Sequence, residues 1–124
     1  MWAAQLPLQC MIGAPKMSSK FEQNCAFIEK LDCKATTPAL IILSFLDRFF
    51  TDIGSPIIGP GEDGLIGLTF DDGHKHFSIE VFPDGDTFEL YLLLRPGESS
   101  FLQCYSKNLV IGHLWNFAEM YLNG

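Results

Sequence analysis

The sequence predicts an α+β fold of two layers. An antiparallel β-meander of three to four strands packs against N-terminal and C-terminal helices, in the order α-α-β-β-β-(β)-α. Three observations predict it. Residues 19–53 and 108–122 repeat their apolar positions at helical spacing. Residues 65–94 instead alternate apolar and polar side chains in three runs, separated by turns rich in Gly and Asp. The chain has 124 residues, 48% of them hydrophobic and 11 of them Phe, which suffices for one packed core and is too short for two.

Residues 1–15 carry no charge, contain Pro7 and Pro15, and keep no period. Residues 1–17 are therefore expected as a loosely attached segment, and 18–124 as a single α+β domain. The alternative is an ordered coil that packs Trp2 and Leu8 on the body. Met11 and Met17 offer alternative starts of translation. No basic region precedes the apolar residues of this stretch, which argues against a secretory signal. No apolar run approaches the roughly 18–20 residues a membrane-spanning helix needs.

Ser19 and Glu22 have the spacing of a capping box, so a helix is expected over about 19–32, with Phe21, Cys25, Ile28 and Leu31 at helical spacing. Cys25 then belongs to the core. A second helix spans 38–53, capped by Thr36 or Thr37, with Pro38 in its first turn and Gly54 at its end. One stripe of it is Ala39, Ile42, Leu46, Phe49 and Ile53, and further apolar residues lie beside and opposite. A helix so apolar is buried on more than one side, by the first helix or by another subunit.

Pro56 and Pro60 frame a short extended lead-in, and residues 61–64 make a turn. Strand 65–70 points Ile66, Leu68 and Phe70 one way. Asp71-Asp72-Gly73 signals a hairpin with glycine at a positive φ. Strand 75–82 points Phe77, Ile79 and Val81 inward and His76, Ser78 and Glu80 outward. After the turn 83–86, Phe88, Leu90, Leu92 and Leu94 point inward, and Thr87, Glu89, Tyr91 and Leu93 outward. Residues 95–98 close that strand, and 101–105 add a short edge strand. The last helix runs over 108–122, with Ser106 as its cap and Val110, Leu114, Phe117 and Tyr121 on one face. Gly112 inside it costs about 1 kcal/mol relative to alanine, which implies close packing there. The runs Asp63-Gly64-Leu65-Ile66-Gly67-Leu68 and Ile79-Glu80-Val81-Phe82-Pro83-Asp84-Gly85 resemble the strand-and-turn cadence of small bacterial proteins. That resemblance speaks to fold and transfers no site.

Charge locates the candidate sites. The chain holds 8 basic and 15 acidic side chains, a formal −7, and residues 51–100 alone hold 2 basic and 10 acidic ones, a net of −8. Such a balance argues against binding a nucleic-acid backbone directly. The meander brings Glu62, Asp63, Asp84 and Asp86 to one end of the sheet and Asp71 and Asp72 to the other. Together with Glu80, Glu89 and Tyr91 on the outward face, they form an acid-rimmed surface suited to a basic protein partner. The competing reading is that Asp is what β-turns use and that charge keeps a sheet soluble. A calcium loop is not supported, because Asp84-Gly85-Asp86 is followed by Thr87 and Phe88 in place of further ligands.

His74 and His76, two apart with Asp71 and Asp72 nearby, are weak candidates for zinc or iron, and need His113 or Glu80 as a third ligand. Cys10, Cys25, Cys33 and Cys104 form no C-x-x-C pair and read as free thiols of a reducing cytoplasm. No nucleophile elbow is present, and Gly59-Pro60-Gly61-Glu62 lacks the lysine and spacing of a phosphate loop.

The function expected is therefore a small acidic, cytoplasmic, non-enzymatic binding or regulatory protein without cofactor. It acts on a protein partner, basic or itself nucleic-acid-binding, in the manner of an antitoxin, an immunity protein or a phage inhibitor such as an anti-CRISPR protein. Two alternatives stand beside it. One is a small metal-dependent enzyme built on His74 and His76. The other is a structural subunit that forms a homodimer through the 38–53 helix.

Overall fold

The computed structural model describes residues 19–95, 98–104 and 107–123. The expectations for segment 1–17, for Cys10, for Pro96-Gly97 and for a Ser106 cap lie outside those residues. The fold is the α+β arrangement read from the sequence: two helices, an antiparallel meander, and a closing helix.

Helix α1 spans Lys20–Leu31, and its capping box is complete. The Ser19 hydroxyl accepts the Glu22 N–H at 3.1 Å, and the Glu22 carboxylate accepts the Ser19 N–H at 2.9 Å. Two amides that the helix itself leaves without partners are thus satisfied. Asp32, at φ 45°, ends the helix in the left-handed conformation. Cys25 and Ile28 are fully buried, and the Asn24 side-chain amide donates to the Ser55 hydroxyl at 3.0 Å. That bond ties α1 to the approach of the sheet.

Helix α2 spans Thr36–Phe49, and here two expectations need correction. Neither threonine caps it. Its N-cap is Ala35, with no side-chain bond, because the link between the helices is so short that Thr36 is already helical. The Thr36 hydroxyl turns back to serve that link, accepting the Cys33 N–H at 3.0 Å and donating to the Ile28 carbonyl at 3.5 Å. The helix also ends earlier than Gly54. Its last turn closes with the Phe50 N–H on the Leu46 carbonyl, and a 3-10 turn over Thr51–Ile53 follows before Gly54 at φ 84°. Phe50 and Ile53 turn into the core across this change of winding, while Phe49, the last residue of α2, is 53% exposed, against the expected stripe. Phe49 lies instead in an aromatic group with Phe45 and Trp115, at centroid distances of 5.3 and 6.0 Å.

The sheet has five strands: β1 Ile57–Pro60, β2 Ile66–Asp71, β3 His76–Val81, β4 Phe88–Arg95 and β5 Glu98–Cys104, in spatial order β1-β2-β3-β4-β5. The lead-in between the prolines is thus a paired edge strand, with Ile57 opposite Thr69 and Pro60 opposite Ile66. A proline is tolerated there because an edge strand can spare one N–H. β5 is longer than expected and begins at Glu98, after a register shift between Leu93 and Arg95.

The alternation places the side chains as read. Ile66, Leu68, Phe70, Phe77, Ile79, Val81, Phe88, Leu90 and Leu92 are all buried on the inner face. Helix α3, Lys107–Asn123, covers them with Val110, Leu114, Phe117, Ala118 and Tyr121. Phe70 and Phe77 stack at 5.8 Å, and the Tyr121 ring stands 6.1 Å from Phe77. Burying such rings supplies most of the drive to fold. Gly112 corrects another expectation: it is exposed, and a Cβ there would meet nothing within 4 Å. Nothing in the structure explains its glycine.

Candidate functional site

With the helices gathered on the inner face, the outer face of the sheet is left to solvent among the described residues. Its side chains fall into rows that run across the strands. One row is Ile57, Thr69, Ser78, Tyr91 and Phe101, each the register partner of the next. Its ends are apolar and open, since Ile57 is 72% and Phe101 63% exposed. A second row is Gly59, Gly67, Glu80, Glu89 and Gln103. Here Glu80 stands directly opposite Glu89, and the Gln103 amide donates to Glu89 at 2.7 Å. A third row is Asp71, His76, Leu93 and Ser99. The His76 ring lies 3.2 Å from the Asp71 carboxylate and edge-on to Tyr91 at 5.8 Å.

The acidic turns occupy the two ends of the sheet, as the meander requires. At one end the β1–β2, β3–β4 and α1–α2 connections meet. A Cβ at Gly64 would lie 3.8 Å from Pro83 and 3.9 Å from Cys33. Asp63, at φ 57°, Asp84 and Asp86 belong to this end. The Glu62 side chain is outside the described residues. Asp84 is committed to its own turn. It accepts the Asp86 and Thr87 N–H groups, both at 2.8 Å, and the Thr87 hydroxyl at 2.6 Å. The Thr87 hydroxyl and those two amides hold its carboxyl below the usual carboxylate range, with a smaller contribution from Lys34.

At the opposite end, roughly 20 Å away along six-residue strands, the same local chemistry recurs. Asp71 accepts the Gly73 N–H at 2.8 Å, and Asp72 accepts the His74 and Lys75 N–H groups at 2.8 and 2.7 Å. The Gly73 amide, followed by His76, lowers the Asp71 carboxyl; the Lys75 and His74 amides lower that of Asp72. Three of the acidic candidates therefore brace the turns that carry them. The nine partner-binding candidates fall into three groups: Glu80, Glu89 and Tyr91 stand in the middle of the open face, Asp71 and Asp72 lie at one end of the sheet with Asp71 closing a row of that face, and the others belong to the opposite end. Ile57 and Phe101, which frame those three, were not singled out from the sequence. A four-residue strand between prolines has too little periodicity to reveal which way Ile57 points.

The two histidines diverge. His74 lies in the exposed turn, whereas His76 opens β3 on the outer face. His113 is on α3, on the other side of the sheet, and Glu80 is four residues further along β3, about 13 Å away. Among the described residues no group of three or more His, Cys, Asp or Glu could hold a metal ion. Cys33 and Cys104 are free thiols, Cys25 is buried in the core, and burial pushes the Cys104 thiol up. A cavity of about 350 Å³ opens between the start of α1 and the end of α2, lined by Phe21, Asn24, Leu46 and Asp47 among others. Burial at its wall raises the Asp47 carboxyl. Among the described residues no helix is long and apolar enough to cross a membrane. Comparison with protein-family models, with known proteins and with solved structures finds no match to this chain.

Proposed function

We propose that the protein is a small acidic binding or regulatory module that acts on a protein partner through the outer face of its sheet and performs no catalysis. One observation carries this reading: Glu80 opposes Glu89 on the face that the helices leave bare. Like charges directly opposite on neighbouring strands are destabilising. A guanidinium or ammonium group supplied by a partner relieves that repulsion and turns the cost into binding energy. Gly59 and Gly67 continue the same row without side chains, so a long basic side chain has room to lie beside the pair. Tyr91, Phe101 and Ile57 flank it with apolar area of the kind that anchors interfaces.

The favoured partner is a basic protein, including one that itself binds nucleic acid, as the targets of antitoxins, immunity proteins and phage inhibitors of the anti-CRISPR type do. We place the interaction in the cytoplasm, where the thiols of Cys25, Cys33 and Cys104 stay reduced. The test begins with the immobilised full chain, eluted at low and at high salt. The captured basic protein is then titrated against wild type and against the Glu80→Gln/Glu89→Gln double variant. Binding is expected to weaken steeply with salt and at least tenfold in the double variant. An interaction indifferent to both sinks the proposal.

A further inference from the structure

We propose that β5 pairs with β5 of a second copy of this chain, antiparallel about Phe101, joining the two meanders into one continuous sheet. The two edges of the sheet are unlike. β1 has four residues, follows Pro56 and ends in Pro60, so its edge is short and lacks a donor. β5 has seven residues, Glu98-Ser99-Ser100-Phe101-Leu102-Gln103-Cys104, with no proline, no lysine and a single charge at its first position. Edge strands that stay unpaired are usually guarded by one of those devices. No strand lies beyond β5 among the described residues. Phe101, at the middle of β5, is 63% exposed.

The sequence of β5 fits its own reverse. A two-fold axis at Phe101 sets that ring against its equivalent in the second copy. It sets Ser99 opposite Gln103 and Ser100 opposite Leu102. Glu98 falls opposite Cys104, so no charge meets a like charge at the seam. That neutrality matters in a chain of formal charge −7, whose copies repel wherever acidic residues approach. The Tyr91–Phe101 row then continues through the axis into Phe101 and Tyr91 of the second copy. Because β1 is blocked by its prolines, pairing through β5 closes at two chains and does not propagate. The inference stands apart from the basic-partner reading. If both hold, the dimer presents two copies of the Glu80–Glu89 face on one surface.

The full chain is examined by sedimentation velocity and light scattering, up to its highest soluble concentration. The expected mass is twice the 13.9 kDa of one chain. Phe101→Lys and Phe101→Glu are each expected to return the mass of a single chain, because like charges then face each other across the axis. An equimolar mixture of the two variants is expected to restore the dimer, since opposite charges then meet. Unchanged circular dichroism confirms that both variants are folded, as substitution of a largely exposed side chain should allow. A monomeric wild type overturns the proposal. So does a dimer that survives Phe101→Lys, one that Phe49→Lys dissolves while Phe101→Lys does not, or a mixture that stays monomeric.

Discussion

Glu80 on β3 and Glu89 on β4 are register partners on the helix-free side of the sheet, and Gln103 donates to Glu89 at 2.7 Å. Like charges at directly opposed strand positions disfavour a sheet, and this pair serves nothing in the core, which lies on the other side. Reversing one charge should therefore strengthen the fold. Glu80→Lys is expected to stabilise the chain by up to about 1 kcal/mol, read as a rise of a few degrees in melting temperature. The same variant should bind the basic partner more weakly. A variant that melts below wild type would show that the pair is not repulsive.

Acid should unfold the protein partly through its turns. The Asp84 carboxyl is lowered by the Thr87 hydroxyl and by two amides, so its folded pKa lies below its unfolded one. The stability it contributes is fully present above the unfolded value of about 4 and is lost as pH falls through the lower folded value. Asp71 and Asp72 act with the same sign. Asp84→Asn keeps an acceptor for the turn amides but cannot titrate. Its denaturation midpoint should depend less on pH between about 5 and 2 than that of wild type.

Asp47 works in the opposite direction. Burial at the wall of the α1–α2 cavity raises its carboxyl, so the folded state binds that proton more tightly than the unfolded chain does. Its ionised form is a liability above the raised pKa, and protonation relieves it as pH falls. Asp47→Asn should be the more stable protein at neutral pH, by a fraction of a kcal/mol because the group is still largely solvated. The advantage should vanish below about pH 4. Urea titration at the two pH values measures both.

Two turn glycines should differ in their tolerance of alanine. Gly73 and Gly85 both have positive φ, at 90° and 75°. A Cβ at Gly73 meets nothing within 4 Å, whereas at Gly85 it would lie 2.8 Å from the Lys34 carbonyl oxygen. Gly73→Ala should cost about 1–2 kcal/mol, the conformational penalty alone. Gly85→Ala should cost more, because the α1–α2 connection must also move away. Equal losses in chemical denaturation would contradict the close approach of the two loops.

Phe77 is fully buried, with Phe70 at 5.8 Å and Phe117 and Tyr121 at 6.1 Å. Phe77→Ala should lose about 3–5 kcal/mol, a large part of the roughly 5–15 kcal/mol that holds a domain of this kind. Circular dichroism during urea unfolding gives the loss directly.

Much of this was legible in the chain. Strict alternation told Phe77, Ile79 and Val81 from His76, Ser78 and Glu80, because side chains in a strand must point to opposite faces. Ser19 and Glu22 announced α1, since a capping box satisfies its amides within four residues. Meander arithmetic put Glu80 and Glu89 on neighbouring outward positions and sorted the acidic turns to the two ends. The start of α2 was misread because Thr36 has two uses for its hydroxyl, and only the neighbouring Cys33 and Ile28 decide between them. The end of α2 is not marked in the sequence, because Phe49, Phe50 and Ile53 carry apolar positions straight through the passage from α to 3-10 winding.

The sequence by itself determined the element types and the face of each long strand, because those follow from spacing within a few residues. Tertiary structure alone decided that Ile57–Pro60 pairs as a fifth strand, where β5 starts after the shift at Leu93, and therefore that Ile57, Tyr91 and Phe101 share one row with Glu80 and Glu89 beside it. Those facts depend on register between segments distant in the chain, and register is set by how whole strands pair once the inner face is buried. The acidic charge was visible from the start. Which carboxylates brace their own turns, and that Ile57 and Phe101 close the row beside Glu80 and Glu89, became visible only in the fold.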